Sequence, residues 1–216
     1  MSIIWWILKR SKTELKIVLA TLAVLIILPI VSVVVLASSG SAIVGQALAK
    51  LNPITHLVEI FNPNGQKVVD LQLSTVWPAR GYISDEFGTF EKFRQEAGSG
   101  PHTGIDIANR WDIPGDPVTT FAKGTVIKVH DTDDNTCGKY VLVSHGYNVT
   151  SAYCHLNDAI AIVNTEVVPG DVIGYMGETG FATGVHVHFG VYVYGVAVNP
   201  RTFMVGEPEA SIRGGL

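Results

Sequence analysis

Between Val185 and Tyr194 the chain alternates with period two. Val185, Val187, Phe189, Val191 and Val193 fall on one face of a strand. His186, His188, Gly190, Tyr192 and Tyr194 fall on the other. A strand with one apolar face buries that face, so two imidazoles left together on the opposite side call for a role. Two shorter stretches repeat the arrangement. In "PHTGIDIA", His102, Gly104 and Asp106 share one face and Ile105 and Ile107 the other. In "SAYCHL", Ser151, Tyr153 and His155 are expected to share a face.

The region around these strands has one texture. From "VWPARGYISDEFG" at Val76 to about Met204, short Val/Ile/Tyr runs are broken by Gly, Pro, Asn and Asp at close intervals. No convincing amphipathic helix interrupts them, and "TFEKFRQEAGSGP" reads as a polar loop. The expected fold is mainly β: a compact antiparallel sheet domain over residues 76–204, followed by a tail at 205–216. Residues 38–75 read as a connector. "SAIVGQALAKL" suits a helix capped by Ser41, and "HLVEIFNPNGQKVVDLQL" suits two strands around an Asn-Pro-Asn-Gly turn.

The N-terminal part is of another kind. Residues 17–37 carry no charge, and as a helix they span roughly 30 Å, the thickness of a bilayer's hydrocarbon core. Lys9, Arg10, Lys12 and Lys16 precede the run, and no Lys or Arg follows until Lys50. The positive-inside rule therefore predicts a transmembrane helix at 17–37, a cytoplasmic segment at 1–16 and an extracytoplasmic domain. Trp5 and Trp6 suit the cytoplasmic interface. A cleaved signal peptide ending in "LASSGSA" is the rival reading, although the apolar run exceeds the usual h-region. The net charge of −4 argues against nucleic acid as a partner.

An exported domain sits where disulfides persist. Cys137 and Cys154 are the only cysteines. If "KYVLVSH" and "VTSAYCH" form a hairpin with Ser144 paired to Val149, the two lie nearly opposite each other, and a bridge is expected. The remaining histidines have plainer readings: His56 and His130 as surface residues, His145 as a structural residue near a hairpin turn. Asp131, Asp133 and Asp134 lack the loop length and terminal Glu of a calcium site and read as a solvated turn.

Several imidazoles and a carboxylate on β surfaces point to Zn²⁺, which takes N and O ligands and, in catalytic sites, three protein ligands plus a water. Each motif alone is a weak signal; together, on polar strand faces, they are a strong one.

"HTGIDIA", "SAYCHL" and "TGFATGVHVHFGV" together resemble the lysostaphin-type, LytM-like zinc endopeptidases that hydrolyse peptidoglycan. The resemblance covers about Val76 to Met204 and extends to "PVTTFAKGTVIKV" and "VVPGDVIGYMGETG". It implies one zinc per chain held by His102, Asp106 and His188. It implies His155 and His186 as the catalytic pair, with Tyr153 as a weaker third candidate. The expected activity is hydrolysis of peptide bonds in peptidoglycan by a zinc-activated water and the two histidines, with the membrane as a partner through the N-terminal helix. The sequence departs from the family pattern at Gly190, where the family has Glu, and at Thr89, where it often has Arg; Arg94 comes later. Both departures bear on the groove rather than on the ligands. A second implied role is a non-cutting envelope scaffold, one that activates other wall hydrolases or belongs to a secretion, conjugation or division complex.

Overall fold

The structure, a computed structural model, describes residues 45–96 and 100–210. Strands β1 (Ala49–Leu51), β2 (Val58–Phe61) and β3 (Lys67–Leu71) form a small antiparallel sheet. Its β2–β3 turn is built on Asn62, whose side chain accepts from the backbone N–H groups of Asn64 and Gln66, with Gly65 at φ +78°. Such an Asx turn is what the Asn-Pro-Asn-Gly signal favours.

The main sheet has ten strands. Six of them set its centre and one edge: β4 (Tyr82–Asp85), β5 (Ile105–Ala108), β7 (Gly124–His130), β8 (Lys139–Ser144), β9 (Val149–Ala159) and β12 (His186–Val193). The hydrogen-bonded order is β7-β8-β9-β12-β5-β4, and β10 (Glu166–Val167) extends it beyond β7. β11 (Val172–Met176) pairs with β9 and with β6 (Pro117–Thr119), while β13 (Val196–Val198) pairs with β12.

The β12 alternation is realised as read. Val187, Phe189, Val191 and Val193 are buried with Ile105, Ile107, Val141, Val143 and Leu156 in the core. At roughly 1.5–3 kcal/mol per fully buried aliphatic side chain, this face is what makes the register costly to slip. The opposite face of the three central strands β9, β12 and β5 is left for the polar residues.

Three local features differ from expectation. Ala49–Leu51, the end of the stretch read as a helix from Ser41, is strand β1, paired with β2. The predicted polar loop contains a short helix, α1 (Lys92–Glu96), too brief to leave an apolar period in sequence. The β8–β9 hairpin pairs Ser144 with Thr150, one residue off the expected Ser144–Val149 register. The reason is the turn, where Gly146, Tyr147 and Asn148 all take positive φ (+80°, +48° and +58°). The Cys137–Cys154 disulfide is present, with Cα atoms 5.1 Å apart, but Cys137 reaches Cys154 from the loop before β8 and not from the ladder itself. Among the described residues no helix is long and apolar enough to cross a membrane. The predicted span at 17–37 lies outside the described residues.

Candidate metal centre

β12 is flanked by β5 and β9, so three cross-strand neighbours meet on one face: His188 lies opposite Asp106 on one side and Cys154 on the other. His186, two residues earlier on that face, is opposite Ala108. His102 arrives from the loop before β5. Its backbone is pinned by His102 N–H to Thr89 O (2.8 Å) and Gly88 N–H to His102 O (2.9 Å). Gly104 makes room for the convergence, since a Cβ there would lie 2.8 Å from Cε1 and Nε2 of His188.

Three donor atoms form a tight triangle. His102 Nε2 and His188 Nδ1 are 2.9 Å apart, His102 Nε2 and Asp106 Oδ1 2.9 Å, and His188 Nδ1 and Asp106 Oδ1 2.8 Å. His102 donates its other ring proton, from Nδ1, to Glu86 O at 3.0 Å, which leaves Nε2 as a bare lone pair. That lone pair and the carboxylate oxygen, both acceptors, then face each other with only the His188 proton to share. A cation relieves this crowding, and two neutral imidazoles with one carboxylate are a zinc donor set. Ideal ligand lengths of about 2.0–2.1 Å ask the three atoms to part by a few tenths of an ångström. Among the described residues, His102, Asp106 and His188 are the group able to hold a metal ion.

The electrostatics agree. Burial alone would raise the Asp106 carboxyl, but the proximity of the His102 and His188 rings outweighs it and holds it well below the usual carboxylate range. Burial pushes the His188 imidazole down, against the pull of Asp106. Arg94 on α1 bridges outward from the centre, its Nη2 lying 3.4 Å from Asp106 Oδ2 and 3.0 Å from Asp85 Oδ2. Asp85 in turn lies 3.2 Å from His102 Nδ1.

Two more imidazoles border the triangle. His186 donates from Nδ1 to Gly184 O at 2.8 Å, and its Nε2 is 3.6 Å from Asp106 Oδ2. His155 donates from Nδ1 to Thr179 O at 2.7 Å; its ring centroid is 4.7 Å from that of His186 and 6.1 Å from that of His188. Burial, reinforced by the neighbouring His186, lowers the His155 pKa to about 4.

Tyr153 is not among them. The expected shared face of Ser151, Tyr153 and His155 is broken, because His155 has φ +62° and breaks the strand's alternation. Cys154 and His155 both turn to the imidazole side, while Tyr153 and Leu156 stay in the core. Tyr153 is fully buried and stacks on Phe189 at 5.6 Å. Its oxygen accepts from Phe121 N–H at 2.9 Å and lies 3.0 Å from Ser151 Oγ. The structure thus places Tyr153, the weaker third candidate, in the core and away from the imidazoles. No motif in the sequence marks Arg94, Asp85 or Thr179 as site residues; only their folded positions connect them to the centre.

Residues 100–200 match the model of Peptidase family M23. An "uncharacterized metalloprotease" of Haemophilus influenzae is 36% identical over 102 residues, 47% of this chain and 21% of that protein. The peptidoglycan DD-endopeptidase ShyA of Vibrio cholerae is 35% identical over 100 residues, 46% of this chain and 22% of that protein. The chain thus spans about a fifth of the length of these curated relatives. A chain of the solved SpoIIQ–SpoIIIAH pore-forming complex superposes with a TM-score of 0.54 at 26% identity, over 62% of this chain and 92% of that one.

Proposed function

We propose, from the match of residues 100–200 to the model of Peptidase family M23, that the chain is a zinc-dependent metalloendopeptidase that hydrolyses peptide bonds of peptidoglycan. We place its domain outside the cytoplasmic membrane, tethered by residues 17–37. The observation that carries the activity is the donor triangle of His102, Asp106 and His188 with two further imidazoles beside it. A metal needs only the first three; the surplus pair suits proton transfer.

Zinc held by His102, Asp106 and His188 would supply Lewis-acid polarisation of the scissile carbonyl and a more acidic water. The protein's own groups supply the rest. His155, with its Nδ1 proton committed to Thr179 O and its pKa near 4, is a neutral imidazole at pH 7 whose Nε2 can accept a proton. His186 is oriented in the same way by Gly184 O. The proton that one imidazole takes from the attacking water is the proton the leaving amine requires, so the pair closes the balance of amide hydrolysis.

The test is metal analysis joined to digestion of purified peptidoglycan. Close to one zinc per chain with release of peptide fragments supports the proposal; a fully metallated protein that leaves sacculi intact would falsify it. That second result favours a scaffold in an envelope complex, a role consistent with the likeness to a chain of a pore-forming complex.

A further inference from the structure

His155 is the member of the cluster whose backbone departs from the strand, and the structure holds that departure from two sides. The carbonyl of Cys137 accepts the His155 N–H at 2.9 Å, and Cys137 is covalently joined to Cys154, the residue before His155. On the other side Thr179 O accepts the ring proton at 2.7 Å. Thr179 is itself fixed. Its Oγ1 accepts Lys139 N–H at 3.0 Å and donates to Leu156 O at 2.8 Å. The loops carrying Cys137 and Thr179 close on each other: Phe181 N–H reaches Thr136 O at 2.8 Å and Gly180 N–H reaches Asp133 Oδ1 at 2.6 Å. A Cβ at Gly138 would strike Thr179.

We propose that the Cys137–Cys154 disulfide and Thr179 act together as a positioning clamp for His155, so that its imidazole is aimed only while the disulfide is closed. The clamp's disulfide and hydrogen bonds do not run through the metal ligands: His102, Asp106 and His188 lie on the loop before β5, on β5 and on β12, with Cys154 the cross-strand neighbour of His188. Closing a loop across a separation of 17 residues is the kind of constraint a disulfide enforces well. Metal binding and hydrolysis are therefore separable: ligands assemble without the bridge, and turnover waits for it. The inference rests on the reading of His155 as a catalytic residue of a peptidoglycan hydrolase.

The test compares the full chain with three variants: Cys137→Ala/Cys154→Ala, Thr179→Val and Thr179→Ser. Measured are zinc per chain, kcat and KM on a soluble cross-linked muropeptide, and hydrogen exchange of the His155 amide. The double Ala variant and Thr179→Val should keep their zinc, lose at least tenfold in kcat with KM nearly unchanged, and exchange the His155 amide at least tenfold faster. Thr179→Ser keeps the hydroxyl and should recover kcat to within about twofold of the parent. Unchanged kcat and unchanged exchange in both disruptive variants overturn the clamp; if the double variant fails to fold, Thr179→Val decides. A parent protein that does not hydrolyse the muropeptide overturns the functional reading instead, and the exchange data still decide the clamp.

Discussion

At the scale of single residues, five polar side chains on one surface divide by how they are held. His102, Asp106 and His188 touch one another, whereas His155 and His186 touch backbone carbonyls and stand beside the triangle. Replacing His102, Asp106 or His188 by Ala should abolish stoichiometric zinc, because two donors make an incomplete site. His155→Ala and His186→Ala should keep zinc yet lose about 10²–10⁴ in hydrolysis, the usual weight of one proton-transfer group. Tyr153→Phe is the contrast. It leaves Phe121 N–H buried without its acceptor, so stability should fall by about 1–3 kcal/mol while the rate per folded molecule holds. Zinc analysis, initial rates and denaturant melts on the same six variants check the division. A rate loss in Tyr153→Phe comparable to that of His155→Ala would restore the tyrosine to the chemistry.

At the scale of elements, the central strands were legible where the alternation is regular and illegible where it breaks. On β12 the period of two runs unbroken through both histidines, so His186 and His188 could be put on one face from sequence. On β9 the same rule, carried from Ser151 through Tyr153 to His155, fails because a non-glycine residue takes positive φ, which no residue pattern there announces. The His102–Asp106 pair was placed together by strand spacing, although His102 lies before the strand and is held by Thr89 and Gly88. The β8–β9 hairpin carries its own prediction. His145 near its turn donates from Nδ1 to Lys123 O and faces Ser151 Oγ with Nε2 at 2.8 Å. Burial pushes its pKa down to about 4 despite the help of the Lys123 carbonyl. The unfolded chain, with an ordinary His pKa near 6.5, therefore binds the extra proton between those values. This group's share of stability is complete above about pH 6.5 and drains away as the pH falls toward 4, amounting to at most about 3 kcal/mol. His145→Asn should flatten the fall of unfolding free energy between pH 7.5 and 4.5. An identical slope in parent and variant would show that His145 is not a source of the dependence.

At the scale of the whole molecule, a β domain with its polar centre on three adjoining strands follows in sequence an N-terminal stretch, residues 17–37, that carries no charge. The charge asymmetry around residues 17–37 predicts that protease added to intact spheroplasts degrades the domain. Full protection of the domain would reverse the topology, and a mature chain beginning near Ser38 would replace the anchor by a cleaved signal. The centre also has an order in time. Asp106 and His188 are 82 residues apart in the chain, and His102 and His188 are 86 apart. No fragment that ends before β12 contains the third donor, His188, or the flanking imidazole His186. A chain emerging N-terminus first therefore cannot complete the donor triangle for most of its synthesis, since the triangle requires β12 in its place between β5 and β9.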